Sequence, residues 1–442
     1  MQKHFYYGLL CLSPYLSLAQ TVRHLDDYTM SQIDNVITSE MSQSGLPGVS
    51  IGLIYNGRIA YTKAYGLSTP GTNATTSSKY PIASVSKTIT GIMAMRMVAN
   101  GDLALNTTID NYISGYNGTA ITIRHLLSHQ SGIGHYDNCP GGYNGQFTAF
   151  SSQLIVMGCS QCMTPPGSGT IYTTFGTTLL GVIIDVVGRS VYNKGYIQLY
   201  NEWIRDAAGL TNLTAEYTSS NISNLVWGYS SATATTVPAW SDLGWRLPAG
   251  GFVATAHDLA GYGVGVMNYT FLNSTRSAQM WTVQTTSGTP TNNCATNLGS
   301  AFGLAFLVGG SGTNLVISHD GENNHGYCSS LILYPNQKAG MVLLTNRVNT
   351  NGALGDISNS IEDFVLCPAR RDFNSLINWT GNWVYESSDV INASNGYTVT
   401  AANGSMVFDA KKEVVLKPGF YAASGTNFRA IIEGCGGIIK PY

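Results

Sequence analysis

The chain has 442 residues, of which 44% are hydrophobic and only 10% are charged, and its formal net charge is −2. This length is enough for two or three domains, or for one large enzyme with an appendage, and the apolar content supports a sizeable core. The charge gives no indication of a nucleic-acid or acidic-membrane partner, and we predict neither. Uncharged polar residues must cover the surface, which suits an extracellular protein.

The first residues have the pattern of a secretory signal. Lys3 and His4 precede an apolar run over residues 5–18, and small residues occupy the −3 and −1 positions of a cleavage site after Ala19. A proline interrupts this run, which is too short to span a membrane, and we expect no later segment to cross a bilayer. We predict a signal peptide over residues 1–19 and a secreted, periplasmic or cell-surface protein.

A helix and a hairpin follow the signal. A polar–apolar helical pattern covers Asp27 to Ser44, and two strands are predicted over Val49 to Tyr55 and Arg58 to Tyr65. The two residues between them, Asn56-Gly57, are the strongest short hairpin signal. A hairpin followed by a buried helix predicts an α+β sheet with helices packed against it.

That buried helix contains the first candidate catalytic pair. Residues 88–97 are almost entirely apolar, so Ser84 and Lys87 are expected at the first helical turn, three residues apart and on one face. Burial and the positive end of the helix dipole both favour loss of the Lys87 proton. A neutral amine beside a hydroxyl is a base beside a nucleophile. The alternative is an ordinary helix N-cap with a solvated lysine.

Two histidines lie on the next short helix. Thr122 is a candidate cap for a helix that carries His125 and His129 at i, i+4 spacing. The spacing is compatible with a metal pair. Because the local pattern holds no acidic third ligand, we favour local hydrogen bonding that holds the following loop.

A tyrosine and a second cap come later. Tyr172 is predicted in a turn just before the apolar helix that includes Leu179 to Val187. Such a tyrosine is usually structural, but near a Ser/Lys pair it is able to relay a proton. Thr255 is expected to cap a helix that begins near Ala256.

A β-meander follows. Its first strand begins at Leu315 and ends in His319-Asp320-Gly321, and its other strands cover Cys328 to Tyr334 and Ala339 to Thr345. The first strand presents His319 and Gly321 at a sheet edge. A glycine there allows substrate backbone to approach closely.

Seven of the eight cysteines lie beyond the signal, since Cys11 falls inside it. An oxidising compartment allows disulfides, and Cys139 with Cys159 or Cys162 would tie down one loop. An odd number leaves at least one thiol outside any disulfide. The spacing of Cys159 and Cys162 also occurs in redox pairs and zinc sites, but no second Cys/His pair accompanies it, and we predict neither.

Several separated blocks together resemble the serine β-lactamase and penicillin-recognising family, in particular its class C β-lactamase and D-Ala-D-Ala carboxypeptidase branch. The Ser-x-x-Lys motif is Ser84 to Lys87, the Tyr-x-Asn motif is represented by Tyr172 to Thr174, and the Lys/His-x-Gly motif is His319 to Gly321. The linking blocks over 125–132 and 248–251 also match. The resemblance covers roughly residues 30–365, in order along the chain.

The resemblance implies a fold and a domain plan. The fold is α+β of the β-lactamase/transpeptidase type, with an antiparallel sheet flanked by helices and an all-helical region. We place this serine hydrolase domain at 20–368 and a small all-β C-terminal module at 369–442. The module's short alternating strands and Asn-Gly turns resemble those at the ends of secreted Bacteroidetes proteins, which implies anchoring or sorting at the cell surface.

The resemblance also implies the roles of the site residues. Ser84 is the nucleophile, and Lys87 and Tyr172 share the work of the base. The backbone N–H groups of Ser84 and Glu322 form the oxyanion hole, and His319 binds a substrate carboxylate or the Tyr172 oxygen. No metal or cofactor is required.

Two departures from the family pattern bear on substrate choice. Thr174 stands where an asparagine is usual and is shorter, and His319 stands where β-lactamases of this branch carry lysine. Efficient antibiotic hydrolysis is therefore less expected. The side chain of Glu322 would disfavour anionic substrates if it pointed into the site.

These features predict a secreted serine hydrolase that forms an acyl-enzyme on Ser84. The first expected substrate is a small amide or a peptidoglycan-type peptide, cleaved as by a D-Ala-D-Ala carboxypeptidase or a β-lactamase. The alternatives are a carboxylic-ester hydrolase of the same family and a non-catalytic peptidoglycan-binding protein.

Overall fold

The computed structural model describes residues 27–366 apart from the segments 117–118, 136–147, 150–151, 154–155, 158–163, 216–221, 231–234, 237–243, 286–300, 324 and 348–351, and eight strands after residue 369. All seven predicted site residues lie within this part of the chain. The predicted signal peptide and the cysteines Cys139, Cys159 and Cys162 lie outside the described residues.

The strands before residue 369 are β1 (Gly48–Tyr55), β2 (Arg58–Thr69), β3 (Thr72–Asn73), β4 (Tyr80–Pro81), β5 (Leu213–Ala215), β6 (Gly228–Tyr229), β7 (Thr235–Thr236), β8 (Phe252–Ala254), β9 (Leu307–Gly309), β10 (Val316–Asn323), β11 (Tyr327–Tyr334) and β12 (Ala339–Thr345). The α-helices are α1 (Asp27–Ser44), α2 (Ser86–Asn100), α3 (Ile123–Leu127), α4 (Thr174–Tyr192), α5 (Tyr196–Tyr200), α6 (Leu247–Gly250), α7 (Ala256–Met267), α8 (Ser274–Met280) and α9 (Ala353–Val365).

A seven-stranded antiparallel sheet is the centre of the domain, in the order β3-β2-β1-β12-β11-β10-β9. The hairpin between β1 and β2 turns at Asn56 and Gly57, whose φ angles are 51° and 71°. Positive φ at both central residues is the geometry that an Asn-Gly hairpin turn requires. The predicted hairpin and the predicted meander β10-β11-β12 are both confirmed.

Helices cover both faces of this sheet. Apolar residues of α1 and α9, such as Ile37 and Ile357, share one buried cluster with β1 and β12. On the other face α7 lies so close to β1 that a Cβ at Gly52 would come within 2.6 Å of the Ala256 carbonyl oxygen. The glycine therefore lets helix and strand approach each other. The predicted α+β fold, an antiparallel sheet flanked by helices, is confirmed.

Helix α2 forms the centre of the helical region. Every residue from Ser86 to Val98 is buried except Arg96, and the helix ends at Gly101 with φ of 87°. A helix that is apolar around its whole circumference has to lie inside the protein. The predicted buried helix and its glycine terminus are confirmed.

Among the described helices, α4 alone is long and apolar enough to cross a membrane, and 72% of that segment is buried within the protein. A core helix of a globular domain has the same length and composition. Its burial in the helical region next to α2 and α6 is what such a core helix requires.

After residue 369 the described strands are β13 (Arg370–Phe373), β14 (Trp383–Ser387), β15 (Val390–Ala393), β16 (Thr398–Val399), β17 (Ser405–Ala410), β18 (Glu413–Leu416), β19 (Tyr421–Ala422) and β20 (Asn427–Ile431). They pair in parallel as β13-β15-β18, β14-β17-β20 and β16-β19. Among the strands that the structure describes here, those adjacent in sequence are therefore not paired with each other, although Asn-Gly turns favour hairpins. Parallel pairing of non-consecutive strands is typical of stacked coils. The module boundary and its anchoring role stay predictions.

Candidate active site

Ser84 lies in a 3₁₀ turn, Ala83–Val85, that leads directly into α2. We expected it in the first α-helical turn, and the tighter turn arises because Ala83 adopts φ of 42°. A non-glycine residue in this region costs about 1–3 kcal/mol and persists only when its surroundings impose it. Those surroundings are β8, where Phe252 accepts a hydrogen bond from the Ile82 backbone at 3.0 Å. Strain of this kind is common next to nucleophiles.

Lys87 lies one helical turn further on and is buried, with 1% of its surface exposed. Its Nζ is 2.9 Å from Ser84 Oγ and donates to the Ala249 carbonyl oxygen at 2.9 Å. Burial, and then the charge of Arg246, hold the pKa of Lys87 well below its usual value. An amine whose pKa is lowered therefore contacts the serine hydroxyl, in the direction that the sequence pattern predicted.

Tyr172 lies beside this pair, just before α4. The Lys87 Nζ is 4.9 Å from the centre of the Tyr172 ring. The backbone on either side of the tyrosine is fixed by His129, whose carbonyl accepts from Ile171 at 2.8 Å and whose Nδ1 accepts from Thr173 at 3.2 Å. The structure thus brings Ser84, Lys87 and Tyr172 together from the starts of two separate helices, α2 and α4.

Three histidine rings surround Tyr172. Ring centres lie 4.6 Å away for His129, 5.6 Å for His135 and 6.0 Å for His319. Burial is the main cause that lowers all three pKa values, to about 4 for His135 and about 3 for His319. The charge of Lys87 is the second cause in each case. All three imidazoles are therefore neutral near pH 7.

The two histidines hold local structure, but only His125 lies on α3, which ends at Leu127; His129 follows it with φ of 57°, so the prediction that one helix carries both is wrong. His125 Nδ1 accepts from the Thr122 backbone, and the Thr122 hydroxyl accepts from the His125 backbone, which together form a capping box. Within the described residues no group of three potential metal ligands occurs. The hydrogen-bonding interpretation of His125 and His129 is confirmed by these contacts.

The open edge of β10 supplies the remaining predicted residues. Strand β9 pairs with Val316 to Ser318 only, so His319 and the residues after it lie beyond it. A Cβ at Gly321 would come within 2.4 Å of the Ile82 carbonyl oxygen and 2.9 Å of the Ser84 backbone nitrogen. Only glycine allows the strand to lie this close to the nucleophile turn.

Glu322 follows Gly321 on the same edge, where its backbone N–H is the predicted second oxyanion donor. Its side chain is exposed, whereas Gly321 and His319 are buried, as expected for alternating faces of a strand. Partial burial raises the pKa of the Glu322 carboxyl. The carboxyl therefore lies on the face opposite His319.

Thr174 is the first residue of α4 and is buried, and its backbone N–H donates to His135 Nδ1 at 3.0 Å. His135 and Arg246 are residues of this site that the sequence did not indicate. Both stand close in sequence to blocks that matched the family pattern, at 125–132 and 248–251. That proximity is the only sequence signal for them.

The site combines a strained nucleophile turn, a buried lysine whose pKa is lowered and a tyrosine beside an antiparallel sheet, which is the nucleophile-and-base arrangement of the serine hydrolase class. A sequence model of the Beta-lactamase family matches residues 33–362, and the chain belongs to that family.

Curated relatives are distant. Protein flp of Staphylococcus aureus strain N315 is 26% identical over 244 residues, which is 53% of this chain and 48% of that protein. Beta-lactamase-like protein 4 of Dictyostelium discoideum is 25% identical over 251 residues, 52% of this chain and 43% of that protein. The chain thus matches somewhat less than half the length of these relatives.

Solved structures share the fold. A class C beta-lactamase superposes with a TM-score of 0.63 at 19% identity, covering 76% of this chain and 96% of that one. The D-amino acid amidase of Ochrobactrum anthropi gives 0.63 at 18% identity, with 76% and 99% covered. The penicillin-binding protein homologue of Pyrococcus abyssi gives 0.61 at 20% identity, with 75% and 76% covered.

Proposed function

We propose that the protein is a secreted serine hydrolase that forms an acyl-enzyme on Ser84. Its substrates are small amides, in the manner of a D-Ala-D-Ala carboxypeptidase or a β-lactamase. The proposal depends above all on the 2.9 Å separation of Lys87 Nζ and Ser84 Oγ, combined with the lowered pKa of that lysine. A base and a nucleophile in contact are what acyl transfer requires.

In the acylation step, Ser84 Oγ bonds to the substrate carbonyl carbon and its proton passes to Lys87, with Tyr172 sharing it. The carbonyl oxygen becomes an oxyanion that accepts from the Ser84 and Glu322 backbones, each such donor being worth about 2.7–4 kcal/mol. The bond to the leaving nitrogen breaks as that nitrogen takes the proton. Water then attacks the acyl carbon and gives a proton to the same base, the acid product leaves, and Ser84 Oγ regains its proton.

A carboxylic-ester hydrolase is the second candidate. It is favoured by His319, which supplies no positive charge where β-lactamases of this branch carry lysine. An ester follows the same steps with an oxygen leaving group. Secretion, which the signal-peptide pattern supports, and attachment at the cell surface through the strands after residue 369, which the resemblance of that module supports, complete the proposal.

The test is the intact mass of the protein over time after mixing with benzylpenicillin, with 4-nitrophenyl acetate and with a fluorophosphonate. We expect an adduct from at least one of these reagents in the wild type and from none in Ser84→Ala. Ser50→Ala is the matched control, because Ser50 is a buried serine outside the site and its Oγ donates to the Tyr80 hydroxyl at 3.0 Å.

The outcomes separate the candidates. A lasting penicillin adduct supports a penicillin-binding carboxypeptidase, and a transient one with drug hydrolysis supports a β-lactamase. Ester turnover without a penicillin adduct supports the ester hydrolase. If no reagent modifies Ser84, the acyl-enzyme proposal is wrong, and retention on purified peptidoglycan would then identify a binding protein.

A further inference from the structure

His319 has a defined tautomer. Its Nδ1 lies 2.7 Å from the Asp320 carbonyl oxygen, and a carbonyl only accepts hydrogen bonds, so Nδ1 carries the proton. In a neutral imidazole the other nitrogen, Nε2, is then a hydrogen-bond acceptor. The residue is 3% exposed, and Nε2 has no hydrogen-bond partner among the described residues. A buried acceptor left unpaired is destabilising, so it calls for a ligand.

The surroundings of His319 keep it neutral. Burial and the charge of Lys87 lower its pKa, and Tyr172 and His129 are the other titratable side chains that face it. Asp320 and Glu322, on its own strand, lie on the exposed face. The charge of Arg246 acts on Lys87 and His135 and is not among the causes that shift His319. The imidazole therefore offers a substrate a lone pair and no cation.

The position of His319 in the site follows from the strand. His319 and Gly321 are buried on the same face of β10, and residues two apart on a strand are separated by about 6.5–7 Å. Gly321 lies against the Ser84 backbone nitrogen, where the reacting carbonyl oxygen binds in the proposed mechanism. His319 is thus a short distance from the scissile bond and beside Tyr172. Because Tyr172 shares the proton that the leaving group takes in the proposed mechanism, His319 is placed on the side of the leaving group.

We propose that His319 Nε2 accepts a hydrogen bond from an uncharged carboxamide on the leaving group, and that the enzyme prefers such substrates over those with a free carboxylate. This inference rests on the proposed acyl-enzyme at Ser84, and it narrows the proposed substrates from the carboxylate-bearing ones of a carboxypeptidase or β-lactamase to their carboxamide counterparts. A carboxylate would place its own lone pairs against the Nε2 lone pair and would gain no charge interaction. A carboxamide N–H instead satisfies the buried acceptor. A site whose acceptor is built to bind a hydrogen-bond donor of the substrate rejects analogues that lack this donor.

The test uses two esters with one acyl group, phenylacetyl glycolate and phenylacetyl glycolamide, which differ only in carboxylate against carboxamide. Each enzymatic rate is divided by the rate of the same ester with free imidazole, which corrects for intrinsic reactivity. We expect the corrected kcat/KM for phenylacetyl glycolamide to exceed that for phenylacetyl glycolate by at least about 10-fold in the wild type, which corresponds to about 1.4 kcal/mol. His319→Gln, which keeps a neutral acceptor, should retain the preference. His319→Lys should reverse it, chiefly through KM.

The outcomes are distinct from those of the proposed function. If the fluorophosphonate modifies Ser84 but the wild type prefers phenylacetyl glycolate, the carboxamide inference is wrong and the acyl-enzyme proposal stands. If His319→Gln slows both esters equally through kcat, the histidine acts on Tyr172 and the inference is also wrong. If His319→Lys does not fold, the wild type and His319→Gln still decide. A failure of all reagents to modify Ser84 would instead overturn the proposed function.

Discussion

Two clusters in this protein combine a lysine with tyrosine, and their environments give the lysines opposite properties. On the outer side of the sheet, Lys63 contacts Asp34, which also accepts from the hydroxyls of Tyr61 at 3.0 Å and Tyr65 at 2.7 Å. The hydrogen bond to Asp34 is the main cause that raises the pKa of Lys63. Burial acts to raise the pKa of Asp34, but the hydrogen bonds from Lys63, Tyr65 and Tyr61 outweigh burial, so the pKa of Asp34 is lowered.

At the candidate site, Lys87 has a serine hydroxyl, a backbone carbonyl and a tyrosine ring as its neighbours. None of these is an anion, and burial therefore lowers its pKa. The comparison teaches that a carboxylate within hydrogen-bond distance decides whether a lysine here is an ion-pair partner or a base. The first cluster is suited to holding α1 against β2, and the second to moving a proton.

The largest expected effect is that of Lys87→Met, which removes the base and leaves an apolar side chain of similar length. We expect hydrolysis to fall on the order of 10³-fold or more, because the serine loses the group that takes its proton. The thermal unfolding midpoint should change little, since the buried position gains an apolar residue. Hydrolysis of 4-nitrophenyl acetate measures the first quantity and calorimetry the second. Full activity in this variant would show that Lys87 is not the base.

Gly321→Ala should follow in size, with activity lowered by about 10²–10³-fold, comparable to loss of an oxyanion donor. Its new Cβ would lie 2.4 Å from the Ile82 carbonyl oxygen, so β10 or the nucleophile turn must move. Rates of fluorophosphonate labelling report the change directly. Gly355→Ala on α9 is the control, because nothing lies within 4 Å of its Cβ and alanine favours helix by about 0.5–1 kcal/mol. Equal labelling rates in the two variants would contradict the close approach.

The clusters should also respond to acid in different pH windows. The folded pKa values of His135, about 4, and His319, about 3, lie below the ordinary value of 6.5. Between the folded and the ordinary pKa values, the unfolded chain binds more protons than the folded protein. The free energy of unfolding therefore falls as the pH falls from about 6.5 to 4, by at most about 1.4 kcal/mol per pH unit for each histidine. The lowered pKa of Asp34 acts only below about 4.

Urea denaturation at several pH values measures this dependence. His135→Gln should flatten the slope between pH 6.5 and 4, and the exposed residue His257 supplies a control through His257→Gln. Asp34→Asn should change the slope only below about pH 4. If His135→Gln left the slope unchanged, the histidine would not be held neutral in the folded protein.

The sequence predicted well those features that depend on near neighbours. Asn56-Gly57, the Thr122 cap and the glycine after α2 each act on residues within four positions, and all three occur as expected. The Ser84 and Lys87 pair was recognised for the same reason, since one helical turn joins them.

Features that depend on distant segments could not be read from the sequence in this way. The Lys87 amine donates to a carbonyl 162 residues away, and His135 accepts from the start of α4 at a separation of 39 residues. The φ angle of Ala83 arises from packing against β8 and β10, and no local signal demands it. The parallel pairing after residue 369 is likewise set by strand stacking, whereas its turns have the local composition of hairpins.

The smallest expected effect is that of Lys63→Met, the counterpart of Lys87→Met. The side chains of Lys63 and Asp34 are 41% and 30% exposed, so solvent screens their attraction, and exposed pairs contribute about 0.2–1 kcal/mol. We expect the free energy of unfolding to fall within that range while hydrolysis is unchanged, because the site contains neither residue. A double-mutant cycle with Asp34→Asn, measured by urea denaturation, isolates the coupling. A loss of activity in Lys63→Met with the fold intact would show that the two clusters are coupled across the sheet, and the division between an ion-pair lysine and a catalytic one would then fail.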